Sequence, residues 1–204
     1  MFGDNFIERA MVGLPVLLLS LTVHEYFHAW SAMKFGDTTA RDMGRLTLHP
    51  LAHLDLMGVI VMVASNFTFG WAKPVPVNPF NLRDPRRADF WISFAGPLSN
   101  LGMAVLAALL FRLATNFTNI PQYFYALLYF GVLINLALAF FNLIPLFPLD
   151  GSHILRSILP ESYGPTLDRI ERFSPFLLII LVISGGLWFV IGPFVTFFQR
   201  LLLG

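Results

Sequence analysis

Cysteine is absent from this chain of 204 residues, which excludes disulfides and thiolate metal sites. Charge is scarce as well: Lys, Arg, Asp and Glu make up 12% of the residues, against roughly 25% in soluble chains. The formal net charge is +1 and the basic residues do not cluster beyond Arg83-Asp84-Pro85-Arg86-Arg87, so composition excludes a nucleic-acid or other polyanionic partner. Internal repeats and low-complexity segments are missing too. The first ten residues hold two acids and one Arg but no small-residue cleavage site, which predicts a retained span rather than a signal peptide.

What the chain does have is apolar length. Hydrophobic residues make up 56% of it, and runs long enough to cross a bilayer occur at Ala10 to Phe35, Phe90 to Ala114, Tyr123 to Leu146 and Pro175 to Leu203. A fifth run, Leu56 to Phe69, is nearer the length of a re-entrant or interfacial piece. If it re-enters, ten basic residues fall on one side of the membrane and three on the other. If it crosses, the split is eight against five. The positive-inside rule therefore favours four spans with both termini outside. Lys34 to Pro50, Lys73 to Asp89 and Ser152 to Arg172 then face the cytoplasm. Gly44 to Pro50 alternates like a short strand, and Trp71 to Pro79 is forced extended by three prolines. Together they predict a small β-structure on the cytoplasmic side with an edge free for pairing. The expected fold is an all-α polytopic membrane protein: four full transmembrane helices, a re-entrant segment and that β-structure, in a single domain of residues 1–204.

The segment His24-Glu25-Tyr26-Phe27-His28 lies inside the first span. On a helix His24 and His28 are one turn apart on one face, able to converge on one metal ion, and Glu25 lies beside them within reach of a metal-bound water. This is the HExxH pattern of zinc proteases. Such polarity is costly at membrane depth, and a divalent cation would offset it. The plainer alternative is three polar side chains pairing with one another inside the bundle. Two histidines leave a site short of a third ligand. The third run leads into Phe141 to Gly151, where Pro145 and Pro148 forbid helix. Asp150 in that broken stretch is a candidate ligand, and Asp150-Gly151 is equally a turn dipeptide. His49, His53 and His153 sit at spacings that do not improve on these three, and Asp55 fits a local cap.

Taken together, His24 to His28, Gly96-Pro97-Leu98-Ser99-Asn100 and Asn142 to Gly151 resemble the three signatures of the site-2 protease family of intramembrane zinc metalloproteases. The resemblance covers nearly the whole chain and is strongest to compact bacterial and archaeal members. It implies that His24, His28 and Asp150 hold Zn2+, that Glu25 is the catalytic base, and that Asn100 and Asn142 stand near the substrate strand. It also implies cleavage of peptide bonds within or near transmembrane segments of membrane-protein substrates, in a multi-pass cell-membrane protein with its site nearer the cytoplasmic leaflet. The loop from Thr115 to Gln122 is too short for the PDZ module some relatives insert, and no nucleotide-sensing domain follows the last span. A membrane metal-ion transporter or metal-binding regulator is the rival expectation. It needs neither a glutamate directly after the first ligand nor a proline-broken strand carrying the third.

Overall fold

A computed structural model describes residues 6–64, 70–117 and 119–204. Eight helices are defined among them: α1 (Phe6–Lys34), α2 (Thr39–Asp42), α3 (Leu56–Ala64), α4 (Pro85–Ala114), α5 (Gln122–Asn142), α6 (Asp150–Ile158), α7 (Gly164–Ile183) and α8 (Gly186–Leu203). Four carry stretches long and apolar enough to cross a membrane: Ala10–Lys34, Pro85–Ala114, Gln122–Asn142 and Gly186–Leu203. Local chemistry sets their ends. The Asp84 side chain accepts from the Arg87 N–H at 3.2 Å and Pro85 takes the first helical position, so α4 starts with one donor capped and a residue that lacks another. Inside α1, Ser20 and Thr22 donate their hydroxyls to Val16 O and Leu18 O, each at 2.7 Å, which satisfies them where lipid offers no partner.

Hydrogen bonds between helix ends fix the directions. The Tyr123 hydroxyl, opening α5, donates to Met11 O in the first turns of α1 (2.8 Å), and the Tyr125 hydroxyl donates to Ala114 O at the end of α4 (2.8 Å). Arg112 reaches Leu201 O near the end of α8 (3.4 Å). At the opposite end of the bundle the Arg83 N–H donates to Phe35 O (3.3 Å), just past α1. So α1 and α5 run one way, and α4 and α8 the other. The packed face of α4 is made of small residues: Ala88, Ser93, Gly96, Asn100, Ala104 and Ala108 are all buried. From Ser93 onward their spacing of three or four lets neighbouring backbones approach closely, as packing in lipid requires. Ala104 and Ala108 join Val132, Leu136, Ile144, Leu149, Ile191 and Val195 in one core between α4, α5 and α8.

Three sequence expectations are corrected. The β-structure does not form: the described residues contain one isolated antiparallel bridge, Leu54 to Ala72, and no strand. Trp71 to Pro79 is extended apart from the turn that opens at Pro79, as its prolines demand, but Pro74 and Pro76 have no N–H to give a ladder. Its remaining groups go to other partners: the Lys73 N–H donates to His53 O (2.8 Å), and Lys73 O accepts from Arg45 Nη2 (2.5 Å). The run Pro175 to Leu203 is not one helix. Gly185, at φ +74°, ends α7 in the left-handed region where only glycine is free of strain, and α8 begins at Gly186. The third span stops at Asn142 rather than Leu146. As for Leu56 to Phe69, α3 covers 9 residues, about 14 Å of helix, and residues 65–69 lie outside the described residues.

Candidate metal centre

The two histidines of α1 are held by α4. The Nδ1–H of His24 donates to Asn100 Oδ1 at 2.6 Å and that of His28 to Ile92 O at 2.7 Å. The Asn100 amide is itself fixed, since its Nδ2 donates to Asn135 Oδ1 (2.9 Å) and Ser20 O (3.3 Å). With both Nδ1 protons committed, the Nε2 atoms carry bare lone pairs in the neutral tautomer. They point at each other across 2.9 Å, which is therefore a convergence of two acceptors and not a hydrogen bond.

Asp150 completes the triangle. The proline-broken stretch between α5 and α6 folds back on itself through Leu146 N–H to Ile144 O (2.8 Å) and Leu149 N–H to Leu146 O (2.9 Å), which puts Asp150 at the first turn of α6. Its Oδ2 lies 3.3 Å from His24 Nε2 and 3.4 Å from His28 Nε2, is buried, and finds no hydrogen-bond donor. Gly151 is required for this approach, because a Cβ there would stand 2.4 Å from both Leu143 O and Ile144 O.

Three buried acceptors facing one another without a proton donor would repel; a cation among them removes the conflict. The spacing suits zinc. Tetrahedral ligands about 2.0 to 2.1 Å from Zn2+ stand about 3.3 Å apart, matching the two carboxylate edges of the triangle. Among the described residues these are the three His or carboxylate side chains that converge in this way. Glu25, next to His24, is buried, and its Oε2 accepts the Val75 N–H at 3.2 Å.

The other histidines lie apart from this group. His53 is wholly buried with Nε2 on Thr47 O (2.8 Å), and His153 pairs with Asp89 at 3.3 Å. His49 is exposed. Asp55 Oδ1 accepts the Gly58 N–H at the start of α3 (2.8 Å), the local role expected of it. Asn100 is 0% exposed and spends its amide on His24, Ser20 and Asn135. Asn142, half-buried, closes α5 with its Nδ2 on Leu138 O (3.0 Å).

Two residues gain a role that the sequence did not assign: Gly96, which the sequence offers only as the first residue of a signature, and Asp37, for which it offers no signal. A Cβ on Gly96 would stand 2.3 Å from His28 Nε2 and 2.6 Å from His24 Nε2, so this glycine makes room for the imidazoles. Asp37, just past α1, is fully buried. Burial pushes its carboxyl up, but hydrogen bonds from Thr39, Asn81 and Asn78 outweigh this and hold it below the usual carboxylate range.

Residues 12–184 match peptidase family M50. The chain belongs to that family. Several relatives carry zinc metalloprotease in their names. YwhC of Bacillus subtilis (strain 168) is 36% identical over 93% of this chain and 90% of its own length. Rip2 of Mycobacterium tuberculosis (strain ATCC 25618 / H37Rv) is 31% identical over 92% of this chain and 75% of its own. MJ0392 of Methanocaldococcus jannaschii is 30% identical over 73% of this chain, which spans 34% of that protein. No solved structure matches the chain at comparable significance. The match to family M50 and the convergence of two imidazoles and a carboxylate, a set that could hold a metal ion, thus point the same way.

Proposed function

We propose that the chain is an intramembrane zinc metalloprotease in which His24, His28 and Asp150 hold the metal and Glu25 is the general base. It hydrolyses peptide bonds within or near transmembrane segments of membrane proteins. One observation carries the assignment: two imidazoles with committed Nδ1 protons aim bare Nε2 atoms at a donorless carboxylate oxygen, inside a spanning helix and beside a buried glutamate. Zinc, when bound, supplies the Lewis acidity that activates a water and polarises the scissile carbonyl. Glu25 takes the proton of the attacking water and returns it to the leaving amine. The Val75 N–H holds one carboxylate oxygen of Glu25 in place. Asn100 orients His24 rather than meeting substrate directly, and Asn142, at the half-buried end of α5, is the residue offered to the substrate strand. That strand is a locally unwound transmembrane helix, because an intact helix keeps its carbonyls engaged.

The ligand assignment is tested by zinc content. His24→Ala, His28→Ala and Asp150→Ala should each lose zinc affinity by more than the roughly 10- to 100-fold that removal of a second-shell partner costs. An Asp150→Ala protein that binds zinc like the parent returns Asp150 to a turn-forming role.

Orientation follows from the basic residues. With α3 taken as re-entrant, because Asn78 to Arg83 is bonded to the end of α1, ten of the thirteen basic residues fall on the Lys34 side of the membrane, which we place in the cytoplasm. Since the chain has no cysteine, single cysteines at the exposed positions Asn119, Asp42 and Asp84 label without background. Asn119→Cys should react with an impermeant thiol reagent in intact cells, and Asp42→Cys and Asp84→Cys only after permeabilisation. Labelling of Asp42→Cys and Asp84→Cys from opposite sides would make Leu56 to Phe69 a full span.

A further inference from the structure

Asp37 lies twelve positions after Glu25, just past the end of α1 at Lys34 and the turn at Gly36, and its carboxylate reaches across to a different part of the chain. Oδ2 accepts the Asn78 N–H at 2.7 Å and Oδ1 accepts the Asn81 Nδ2 at 2.9 Å. Oδ1 also takes the Thr39 N–H (3.0 Å) and hydroxyl (2.5 Å). The extended segment is thus pinned at Asn78 by Asp37 and at Lys73 by His53 O and Arg45. Between the two pins Pro74 and Pro76 fix φ near −65°, so the intervening chain has little freedom to slide. Val75, midway, presents its N–H to Glu25.

We propose that Asp37 is a positioning residue for catalysis: it sets the register of the extended segment against α1 so that the Val75 N–H meets Glu25. This rests on the protease reading. Asp37 touches neither metal ligands nor substrate. It acts through the segment, and the stiffness of two prolines carries the placement from Asn78 to Val75. A carboxylate suits the position because four donors converge on it and none of its contacts is an acceptor. An amide there would aim an N–H at another N–H.

Asp37→Asn should lower kcat about ten- to hundred-fold, the range commanded by one hydrogen bond to a charged group, with full zinc stoichiometry. Asn81→Asp, which sets a carboxylate against Asp37, should do the same. The double variant exchanges donor and acceptor between positions 37 and 81, leaves an oxygen for the Asn78 N–H, and should recover part of the loss, since the Thr39 N–H still loses its acceptor. A nitroxide on Val77→Cys reports the segment independently of activity: immobile in the parent, mobile in each single variant, immobile again in the double. Parental kcat in Asp37→Asn, lost kcat with an immobile label, or no recovery in the double variant overturns the proposal. If the single variants do not fold, Asn81→Ala, which removes one of the four donors, must show the same loss of kcat and label mobility on a smaller scale, or the proposal fails. Should the parent show no cleavage while the label responds as described, the protease reading fails and the register role of Asp37 survives as a structural one only.

Discussion

Glu25→Gln should bind zinc with parental stoichiometry and lose cleavage by about 10²- to 10⁴-fold, the usual contribution of a positioned general base. The side chain is not among the three converging ligands, so removing its charge leaves the metal set intact. Glutamine matches its shape and keeps an oxygen that can accept the Val75 N–H now bonded to Oε2 at 3.2 Å. What the substitution takes away is the ability to receive a proton from water. Metal content by elemental analysis, together with cleavage of a transmembrane test substrate, separates the possible outcomes. Cleavage within a few-fold of the parent means that Glu25 is not the base. Loss of zinc means that it supports the metal set after all.

Gly96→Ala should abolish zinc binding although position 96 carries no ligand. The added methyl would stand 2.3 Å from His28 Nε2 and 2.6 Å from His24 Nε2 and Cε1, about 1 Å inside ordinary contact. Neither ring can retreat cheaply, because His24 is tied to Asn100 and His28 to Ile92, both on the helix that bears the methyl. Either α4 moves off α1 or the imidazoles turn away, and overpacking of this kind costs about 1 to 3 kcal/mol. Zinc titration and thermal unfolding in detergent read both consequences. Gly102→Ala is the matched control: it lies on the same helix, and a Cβ there meets nothing within 4 Å, so it should leave zinc affinity unchanged and thermal stability unchanged or slightly raised. A Gly96→Ala protein with parental zinc affinity would show that the triangle is not the metal site.

Much of this site is legible in the sequence because its signals are local. The spacing of His24 and His28 is a helical repeat, the spans are runs of composition, and Pro145 and Pro148, three positions apart, mark the break between α5 and α6, whereas the lone Pro15, Pro97, Pro175 and Pro193 sit inside helices. The packing role of Gly96, a residue the sequence offers only inside a signature, and the bonding role of Asp37 are not readable for the opposite reason. A glycine in a spanning helix is ordinary until one knows which side chains the neighbouring helix aims at it, and an aspartate past a helix end reads as a turn former until Asn78 and Asn81 are seen to arrive from forty positions away. The β-structure fails on a related point: alternation and extended proline segments predict backbone shape, but whether two such segments pair depends on which donors survive and who else claims them. At Gly185 the sequence offers a Gly-Gly pair that suits a bend, a close helix contact or a stop, and only the positive φ decides among them.

The ligands enter the chain in a telling order. His24 and His28 belong to α1, together with Glu25, whereas Asp150 follows two further spans, α4 and α5. Until Asp150 is added the growing polypeptide has the proposed base and two imidazoles but not the proposed third ligand. If these three side chains hold the metal as proposed, its capture waits until α1, α4 and α5 have assembled and the chain has turned back at Leu143 to Leu149. A hydrolase embedded among other proteins still being inserted into the same bilayer would in this way remain inert during its own biogenesis.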